Sequence, residues 1–343
     1  MNIKTLLQQA SAQHASDIHF TTGQPPWVRV DGHLHALEHS ILSADDMRAL
    51  LQTVMNAEQQ QQFADQHELD FAFTIEDHMR FRINAFQEQG GSAAAFRLLP
   101  QQIPSLKQLN LSPVLATVSH YTRGLVLITG ATGCGKSTTL AAIINHINQE
   151  QAKHIITIED PIEFVHPVKR SLINQREVNI HTHNFGYALR SALREDPDVI
   201  LIGELRDLDT IRLALTAAET GHLVLASLHT QNAAKSIHRI IHVFPAEEQE
   251  LVRAMLAESL LAIIAQTLLP KVNGGRIAAQ EILLCNLAVR NLIREDKIPQ
   301  IYSQMQTSTR FGMCTLEAHV KQLHARRLIS TATAKLFTHT VCT

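Results

Sequence analysis

The residues of this chain whose types and spacing most clearly suit chemistry lie between positions 130 and 138. Residues 130–137 match the pattern G-x-x-x-x-G-K-[ST], in which backbone N–H groups form a concave anion-binding nest. In such a loop the lysine meets the β- and γ-phosphates of a nucleotide, and the next hydroxyl can bind Mg²⁺. The sequence therefore predicts a nucleoside triphosphate site with Ser137 as a metal ligand. Its residues are Gly130, Ala131, Thr132, Gly133, Cys134, Gly135, Lys136, Ser137 and Thr138.

The segments on either side of this loop predict the elements that hold it. Leu125–Ile128 is an apolar run short enough for a buried strand, and Thr138–Ile147 has apolar residues at helical spacing. The loop would then lie between a strand and the first turn of a helix, whose unpaired N–H groups and dipole favour an anion. This context favours a nucleotide site over a glycine-rich turn without function.

Two further apolar runs end in acidic residues. The run 154–158 is followed by three carboxylates within 159–163, and the run 199–202 is followed by Gly203 and Glu204. Ligands of open α/β sheets gather at the carboxyl ends of the strands. An acid of the first group could act as a general base towards the γ-phosphate, with a solvated acidic loop as the alternative. Glu204 resembles the acid that supports Mg²⁺ in these enzymes, and we expect it to act through water because an aspartate is missing.

Two histidines and two arginines give weaker indications. His222 and His229 stand at the two ends of the predicted strand 223–227, where they could sense the γ-phosphate or a neighbouring subunit, although single histidines are more often packing residues. Arg82 and Arg97 lie on adjacent predicted strands near the N-terminus. An arginine from another domain can stabilise phosphoryl transfer, but from the residues alone ordinary surface arginines are the better interpretation.

The composition restricts the class of protein. Hydrophobic residues make up 45% of the 343 residues and charged residues 18%, which indicates a folded protein with a sizeable core, and this length favours two domains. The formal net charge of −2 and the aromatic content of 5% give no sign of the basic and aromatic surface that a nucleic-acid motor needs. We therefore expect no nucleic-acid partner.

Membrane insertion is also not expected. The N-terminal residues have no long apolar core of the kind found in signal peptides. The longest apolar stretch, Leu260–Leu269, is broken by Gln266 and is too short to cross a bilayer. We therefore expect a cytoplasmic protein that reaches a membrane only through a partner.

The patterns divide the chain into three parts. Residues 1–99 are predicted to form a small α+β domain, with Asp31-Gly32 as a hairpin turn. Residues 100–112 are interpreted as a proline-containing linker. Residues 113–343 are predicted to form an α/β domain with a largely parallel sheet, because apolar runs alternate with helical patterns up to 284 and only helical patterns follow from 286. The predicted strands of this domain are 125–128, 154–158, 199–202, 223–227 and 277–284.

Several segments together resemble one family. The run 158–166, Ile-Glu-Asp-Pro-Ile-Glu-Phe-Val-His, is similar to the aspartate box of the secretion ATPases of type II secretion systems and type IV pili. Further segments of the chain resemble the same family: 16–19, 174–178, 192–198, 206–222 and 227–230. The resemblance covers nearly the whole chain.

The resemblance implies a hexameric, Mg²⁺-dependent ATPase with a PAS-like N-terminal domain before a RecA-like P-loop NTPase motor domain. It also assigns roles to residues that match the family's motifs. They are Glu163 as the catalytic glutamate, Glu204 as the Walker B glutamate, His222 and His229 as the histidine box, and Arg82 and Arg97 as arginines that contact nucleotide.

Within the family, the chain is most similar to pilus retraction ATPases. It lacks the tetracysteine element of assembly and secretion ATPases, and residues 288–295 resemble the C-terminal signature of retraction motors. The resemblance implies a motor that retracts a type IV pilus or related filament by acting on an inner-membrane platform protein. Departures at Cys134 and His238 leave an alternative, a diverged paralogue that serves as an accessory motor or as a nucleotide-binding regulator with weak hydrolysis.

Overall fold

The computed structural model describes residues 3–13, 15–30, 32–75 and 79–338. It divides the chain into two units, Met1–Gln102 and Ile103–Thr343. The division falls inside the segment 100–112 that the sequence indicates as a linker. The second part of that segment contacts the second unit, because Leu106 and Leu111 pack against its core. The turn expected at Asp31-Gly32 includes Asp31, which lies outside the described residues.

The first unit combines helices with one antiparallel sheet. Its helices are α1 (Ile3–Ala12), α2 (Ala44–Val54) and α3 (Ala57–Gln66). Its strands are β1 (Asp17–Thr21), β2 (Trp27–Val30), β3 (His33–Ala36), β4 (Glu68–Thr74), β5 (Arg80–Glu88) and β6 (Gly91–Leu99). The strand order is β3-β2-β1-β6-β5-β4, and every pairing is antiparallel. Helices α2 and α3 each begin at a capping box, formed by Ser43 with Asp46 and by Asn56 with Gln59.

The second unit is built on a seven-stranded sheet with the order β13-β12-β7-β11-β10-β8-β9. Its strands are β7 (Gly124–Thr129), β8 (His154–Glu159), β9 (Leu172–Glu177), β10 (Val199–Ile202), β11 (Leu223–Leu228), β12 (Leu260–Pro270) and β13 (Arg276–Leu284). All pairings are parallel except that of β12 with β13. The five strands predicted from the sequence are present. The patterns did not reveal β9, a largely polar edge strand, or β12, whose apolar stretch contains a glutamine.

Helices precede, connect and follow these strands. They are α4 (Val114–Val118), α5 (Lys136–Glu150), α6 (Phe185–Ala192), α7 (Leu208–Glu219), α8 (Ala233–His242), α9 (Gln249–Ser259), α10 (Leu287–Arg294), α11 (Ile301–Thr307), α12 (Leu316–Ala325) and α13 (Thr331–Thr338). Across the described ranges, no helix combines the length and the apolar character that crossing a membrane requires.

The sheet of the second unit is covered on both faces. Leu125 and Leu127 of β7 belong to the apolar cluster that includes residues of α6, α7, α8 and α9. Val126 and Ile128, which point to the other face, pack with residues of α5. A parallel strand buried on both sides reads as a continuous apolar run, which is why β7 could be predicted from its residues. The predicted α/β class is confirmed, with the glycine-rich loop between the inner strand β7 and helix α5.

Candidate functional site

The predicted phosphate loop lies at the carboxyl ends of the parallel strands. The segments that follow β7, β8, β10 and β11 all begin at this end of the sheet, because these strands run in the same direction. The N–H of Gly130 donates to the carbonyl oxygen of Leu228 at 3.2 Å, so the start of the loop is tied to β11. Residues that are far apart in the chain are thereby brought around one loop.

Close packing explains the first glycine of the loop, and backbone conformation explains the last. Gly130 has φ 142°, and a Cβ at this position would lie 2.3 Å from the carbonyl oxygen of Gln266 and 2.6 Å from Sγ of Cys134. Gly135 has φ 88° and is the N-cap residue directly before α5. A side chain would therefore clash at the first position and be strained at the second. A Cβ added at Gly133 would have no described atom within 4 Å, so the middle of the loop has room for a ligand.

Lys136 is buried against the loop. Its Nζ donates to the carbonyl oxygens of Gly130 at 2.9 Å and Ala131 at 3.1 Å. Burial lowers the pKa of its ammonium, although the charges of Cys134, Glu204 and Glu163 act in the opposite direction. The loop, the first turn of α5 and this single cation form a cradle suited to phosphate oxygens.

Glu204 lies just beyond β10 and is held by the side chains of Arg206 and His229. Its carboxylate forms a close ion pair with Nη2 of Arg206 and lies 3.3 Å from Nε2 of His229. The other ring nitrogen of His229 lies 3.5 Å from Oγ1 of Thr132 in the phosphate loop. Glu204 is also positioned by its neighbour, because the carbonyl of Gly203 accepts from Ser227 Oγ at 2.6 Å. His229 thus joins the acid to the phosphate loop.

Glu159, the last residue of β8, and Glu163 form a second group of acids near the carboxyl ends of the strands. Oε1 of Glu159 accepts hydrogen bonds from Thr157 at 2.6 Å and Gln175 at 3.2 Å. Burial raises the pKa of Glu159 from 4.5 to about 7, more than these hydrogen bonds lower it, and the charge of Glu163 adds to the rise. The charge of Glu163 also acts on Lys136. Glu163, which is partly buried, therefore lies close enough to the loop lysine for their charges to interact.

The donor atoms near the loop fit a magnesium ion. Ser137 supplies a hydroxyl at the start of α5, and Glu204 supplies a carboxylate whose side chain is 14% exposed. Mg²⁺ prefers such oxygen ligands and usually keeps several of its waters. Since Arg206 and His229 already contact the carboxylate of Glu204, an arrangement in which this acid acts through water suits the site.

His222 does not join this group. It precedes β11, whereas His229 follows it, so the strand separates the two residues by roughly 23 Å at ~3.3 Å a residue. Nδ1 of His222 lies 3.0 Å from the carbonyl oxygen of Ala217, and its own carbonyl accepts from Gly124 N–H at 2.9 Å. Within one chain, His222 therefore lies at the amino ends of the strands, whereas the phosphate loop lies at their carboxyl ends.

Arg82 and Arg97 face each other across two strands of the first unit. They are register partners on β5 and β6, and Arg97 is also opposite Asp17 of β1. Nε of Arg82 donates to both carboxylate oxygens of Asp70 at 3.1 Å, and Nε of Arg97 donates to Asp17 at 2.8 Å. Burial raises the pKa of Asp17, but the hydrogen bonds from Arg97 and Ser16 outweigh it and leave the pKa lowered. Two like charges are thus held side by side by acids of the same sheet.

Two residues of the site were not singled out from the sequence. Arg206, the ion-pair partner of Glu204, appeared only as part of a family segment. Gln266 donates to the carbonyl oxygen of Cys134 in the phosphate loop at 2.6 Å, yet in the sequence it appeared only as the residue that interrupts an apolar stretch. A single polar residue inside such a stretch was the available signal, because a buried polar group needs a partner.

Comparison with known proteins places this geometry in context. The family model described as "Type II/IV secretion system protein" matches residues 1–336. The chain is 51% identical over 335 residues to the type IV pilus retraction ATPase PilT of Pseudomonas aeruginosa, covering 98% of this chain and 97% of that protein. It is 49% identical to a twitching motility protein of Neisseria gonorrhoeae, covering 97% and 90% of the two chains. A crystal structure of the pilus retraction motor PilT with bound ADP superposes with a TM-score of 0.91 at 46% identity, covering 97% and 96%.

Proposed function

The chain belongs to the type II/IV secretion system protein family, and from this premise we propose that it is an ATPase motor that powers the retraction of a type IV pilus or a related filament. One observation carries the proposal. The buried Lys136 ammonium, held by two carbonyls of the phosphate loop, belongs to a chain that is 51% identical to a pilus retraction ATPase over almost its full length. The substrate is ATP.

The chain's own residues would divide the work as follows. The loop N–H groups and Lys136 bind the β- and γ-phosphates, and Glu163 accepts a proton from the attacking water. Ser137 and Glu204 would hold Mg²⁺, which supplies charge neutralisation on the phosphate oxygens when it is bound. His229 keeps Glu204 in contact with the loop, supported by its 3.3 Å and 3.5 Å separations from Glu204 and Thr132.

Other elements of the proposal rest on the family. We infer a closed hexamer, because a motor of this kind uses one head-to-tail interface repeated around a ring. Arg82 and Arg97 would contact the nucleotide. His222, at the amino end of β11, would contact a neighbouring subunit. The motor would lie in the cytoplasm and reach the inner membrane through a pilus platform protein.

The test is ATP turnover together with filament retraction. Lys136→Ala should abolish ATP binding and turnover, while Lys107→Ala, which changes an exposed lysine, should match the wild type in both. In a piliated bacterium without its own retraction motor, the wild-type gene should restore twitching and Lys136→Ala should not. Weak turnover with no restored twitching would favour the accessory or regulatory alternative. Binding of single-stranded nucleic acid in a low-salt gel shift would favour a nucleic-acid motor instead.

A further inference from the structure

A chain of side-chain amides links the phosphate loop to the segment before α4. Gln266 of β12 and Gln280 of β13 are direct register partners, and both side chains are buried. Nε2 of Gln280 donates to Oε1 of Gln266 at 3.3 Å, and Nε2 of Gln266 donates to the carbonyl oxygen of Cys134 at 2.6 Å. At the other end, the N–H of Ser112 donates to Oε1 of Gln280 at 3.3 Å. Neither amide belongs to the residues that the proposed mechanism uses.

Both amides are oriented by groups that can play only one role. The carbonyl of Cys134 can only accept a hydrogen bond, so the NH₂ group of Gln266 must face it. The N–H of Ser112 can only donate, so the oxygen of Gln280 must face it. The NH₂ of Gln280 then meets the oxygen of Gln266, which also accepts from Thr139 Oγ1 at 2.9 Å. Four hydrogen bonds therefore fix a single arrangement of the two amides.

Gln266 also packs against both glycines of the loop motif. A Cβ at Gly130 would lie 2.3 Å from the carbonyl oxygen of Gln266, and a Cβ at Gly135 would lie 3.0 Å from its Nε2. With the hydrogen bond to Cys134, the glutamine touches the loop near its beginning and near its end.

We propose that Gln266 is a positioning residue that sets the phosphate-binding shape of the loop, and that Gln280 acts through it. The peptide between Cys134 and Gly135 is planar and trans, so its C=O and N–H point in opposite directions. When Gln266 holds that C=O on the outer side, the N–H of Gly135 points to the inner side, where phosphate oxygens bind. A buried carbonyl without a donor would instead be free to turn, or would be costly to keep. This inference rests on the proposed nucleotide site.

The experiment compares two isosteric replacements of buried amides. Gln266→Met keeps the volume and removes the donor to Cys134. Asn148→Leu removes a buried amide in the last turn of the same helix α5, where it bonds Pro167 O at 2.8 Å and Ser171 N–H at 3.1 Å. Affinity for ATP and for ADP is measured by isothermal titration, with the melting temperature of each variant. Gln266→Met should weaken nucleotide binding about tenfold, the effect of one strong hydrogen bond, and Asn148→Leu should leave it unchanged.

Gln280→Met provides the second variant. It removes the donor that orients Gln266, so it should weaken nucleotide binding in the same direction by a smaller factor. The double variant Gln266→Met/Gln280→Met should bind no more weakly than Gln266→Met alone, because Gln280 acts only through Gln266. If Gln266→Met does not fold, Gln280→Met against Asn148→Leu still decides the question.

Three results would overturn the inference. They are unchanged affinity in both glutamine variants, an equal loss in Asn148→Leu, or strictly additive losses in the double variant. A wild-type chain that binds no nucleotide would overturn the proposed function itself, and with it this role of Gln266. A wild-type chain that binds ATP while the glutamine variants bind equally well would overturn this inference alone.

Discussion

Nε2 of His229 lies 3.3 Å from Oε2 of Glu204, so the histidine after β11 faces the acid after β10. The same ring reaches Thr132 of the phosphate loop through Nδ1 at 3.5 Å. A change in the position of the loop would therefore move the group that holds Glu204. The histidine at the other end of β11 has no part in this link, because His222 lies at the amino end of the strand and contacts the carbonyl oxygen of Ala217.

The two histidines should have different effects when they are replaced. His229→Ala should lower kcat by about tenfold or more, because Glu204 loses its link to the loop through His229. His222→Ala should leave the affinity for ATP unchanged, and any loss of turnover should diminish as the protein concentration rises, since we assign it to a subunit contact. Steady-state turnover over a range of protein concentrations checks both. Equal, concentration-independent losses would contradict the assignment.

Replacement of Glu163 and of Glu204 should also have different effects on turnover. Glu163→Gln should keep nucleotide binding and lower turnover about 10²- to 10⁴-fold, because the amide has the shape of the acid but cannot accept the proton. Glu204→Gln should raise the Mg²⁺ concentration needed for half-maximal turnover. Glu250→Gln, on the exposed surface of α9, is the control. If Glu204→Gln loses all turnover at saturating Mg²⁺ and Glu163→Gln retains it, the two roles are reversed.

Replacement of the paired arginines should affect turnover more than stability. The side chains of Arg82 and Arg97 are 38% and 68% exposed in their ion pairs, and such pairs are worth only about 0–1 kcal/mol. Arg82→Ala and Arg97→Ala should therefore shift the melting temperature little, yet lower kcat if both reach the nucleotide. Arg48→Ala is the matched control, since Arg48 is also exposed and paired in the first unit. Turnover equal to that of Arg48→Ala would remove both arginines from the mechanism.

The raised pKa of Glu159 predicts a pH-dependent stability. Between 4.5 and about 7, the folded chain holds a proton at this group that the unfolded chain has lost, so the contribution of Glu159 to stability falls as the pH rises through this window. Glu159→Gln removes the charge but keeps an oxygen for Thr157 and Gln175. At pH 8 the variant should be more stable than the wild type by up to about 3 kcal/mol, and at pH 4.5 the difference should be much smaller. Urea unfolding at both pH values measures it, and an equal difference at both would contradict the shift.

The retraction-like segment 288–295 contains two arginines with different surroundings. Val289 and Ile293 are buried and Leu292 packs beside them, because positions i, i+3 and i+4 share one face of a helix. Arg290 is only 20% exposed and donates to the carbonyl oxygens of Ala257 and Glu258 at 2.8 and 2.6 Å, at the C-terminal end of α9. It therefore stabilises the end of that helix, in addition to any role in the motor.

Arg294 is the better residue for separating hydrolysis from movement. It is 44% exposed and pairs with Glu258 at 2.8 Å. Arg294→Ala should retain ATP turnover and the melting temperature but lose filament retraction in cells, if this helix transmits movement to the platform. Arg290→Ala should lower stability by about 1–3 kcal/mol, because it leaves helix-end carbonyls without a charged donor. Loss of turnover and assembly together in Arg294→Ala would make the segment structural.

The phosphate loop, its flanking strand and helix, and the acids that follow β8 and β10 could be predicted from the sequence. Each depends on a contiguous pattern: glycine spacing, a continuous apolar run, or an acid at the end of such a run. Strand β7 is recognisable because both of its faces are buried. Strand β9 is not, since it lies at the edge of the sheet and most of its residues are polar.

Only the tertiary structure decided which distant residues meet the loop. Gln266 is 132 positions from Cys134 and His229 is 97 positions from Thr132, and no local pattern encodes such pairs. The same holds for which of His222 and His229 meets the loop, because this depends on the direction in which β11 runs through the sheet. A hydrogen bond needs its two atoms within about 3.5 Å, and for residues so far apart in the chain that proximity is set by the order and direction of the strands.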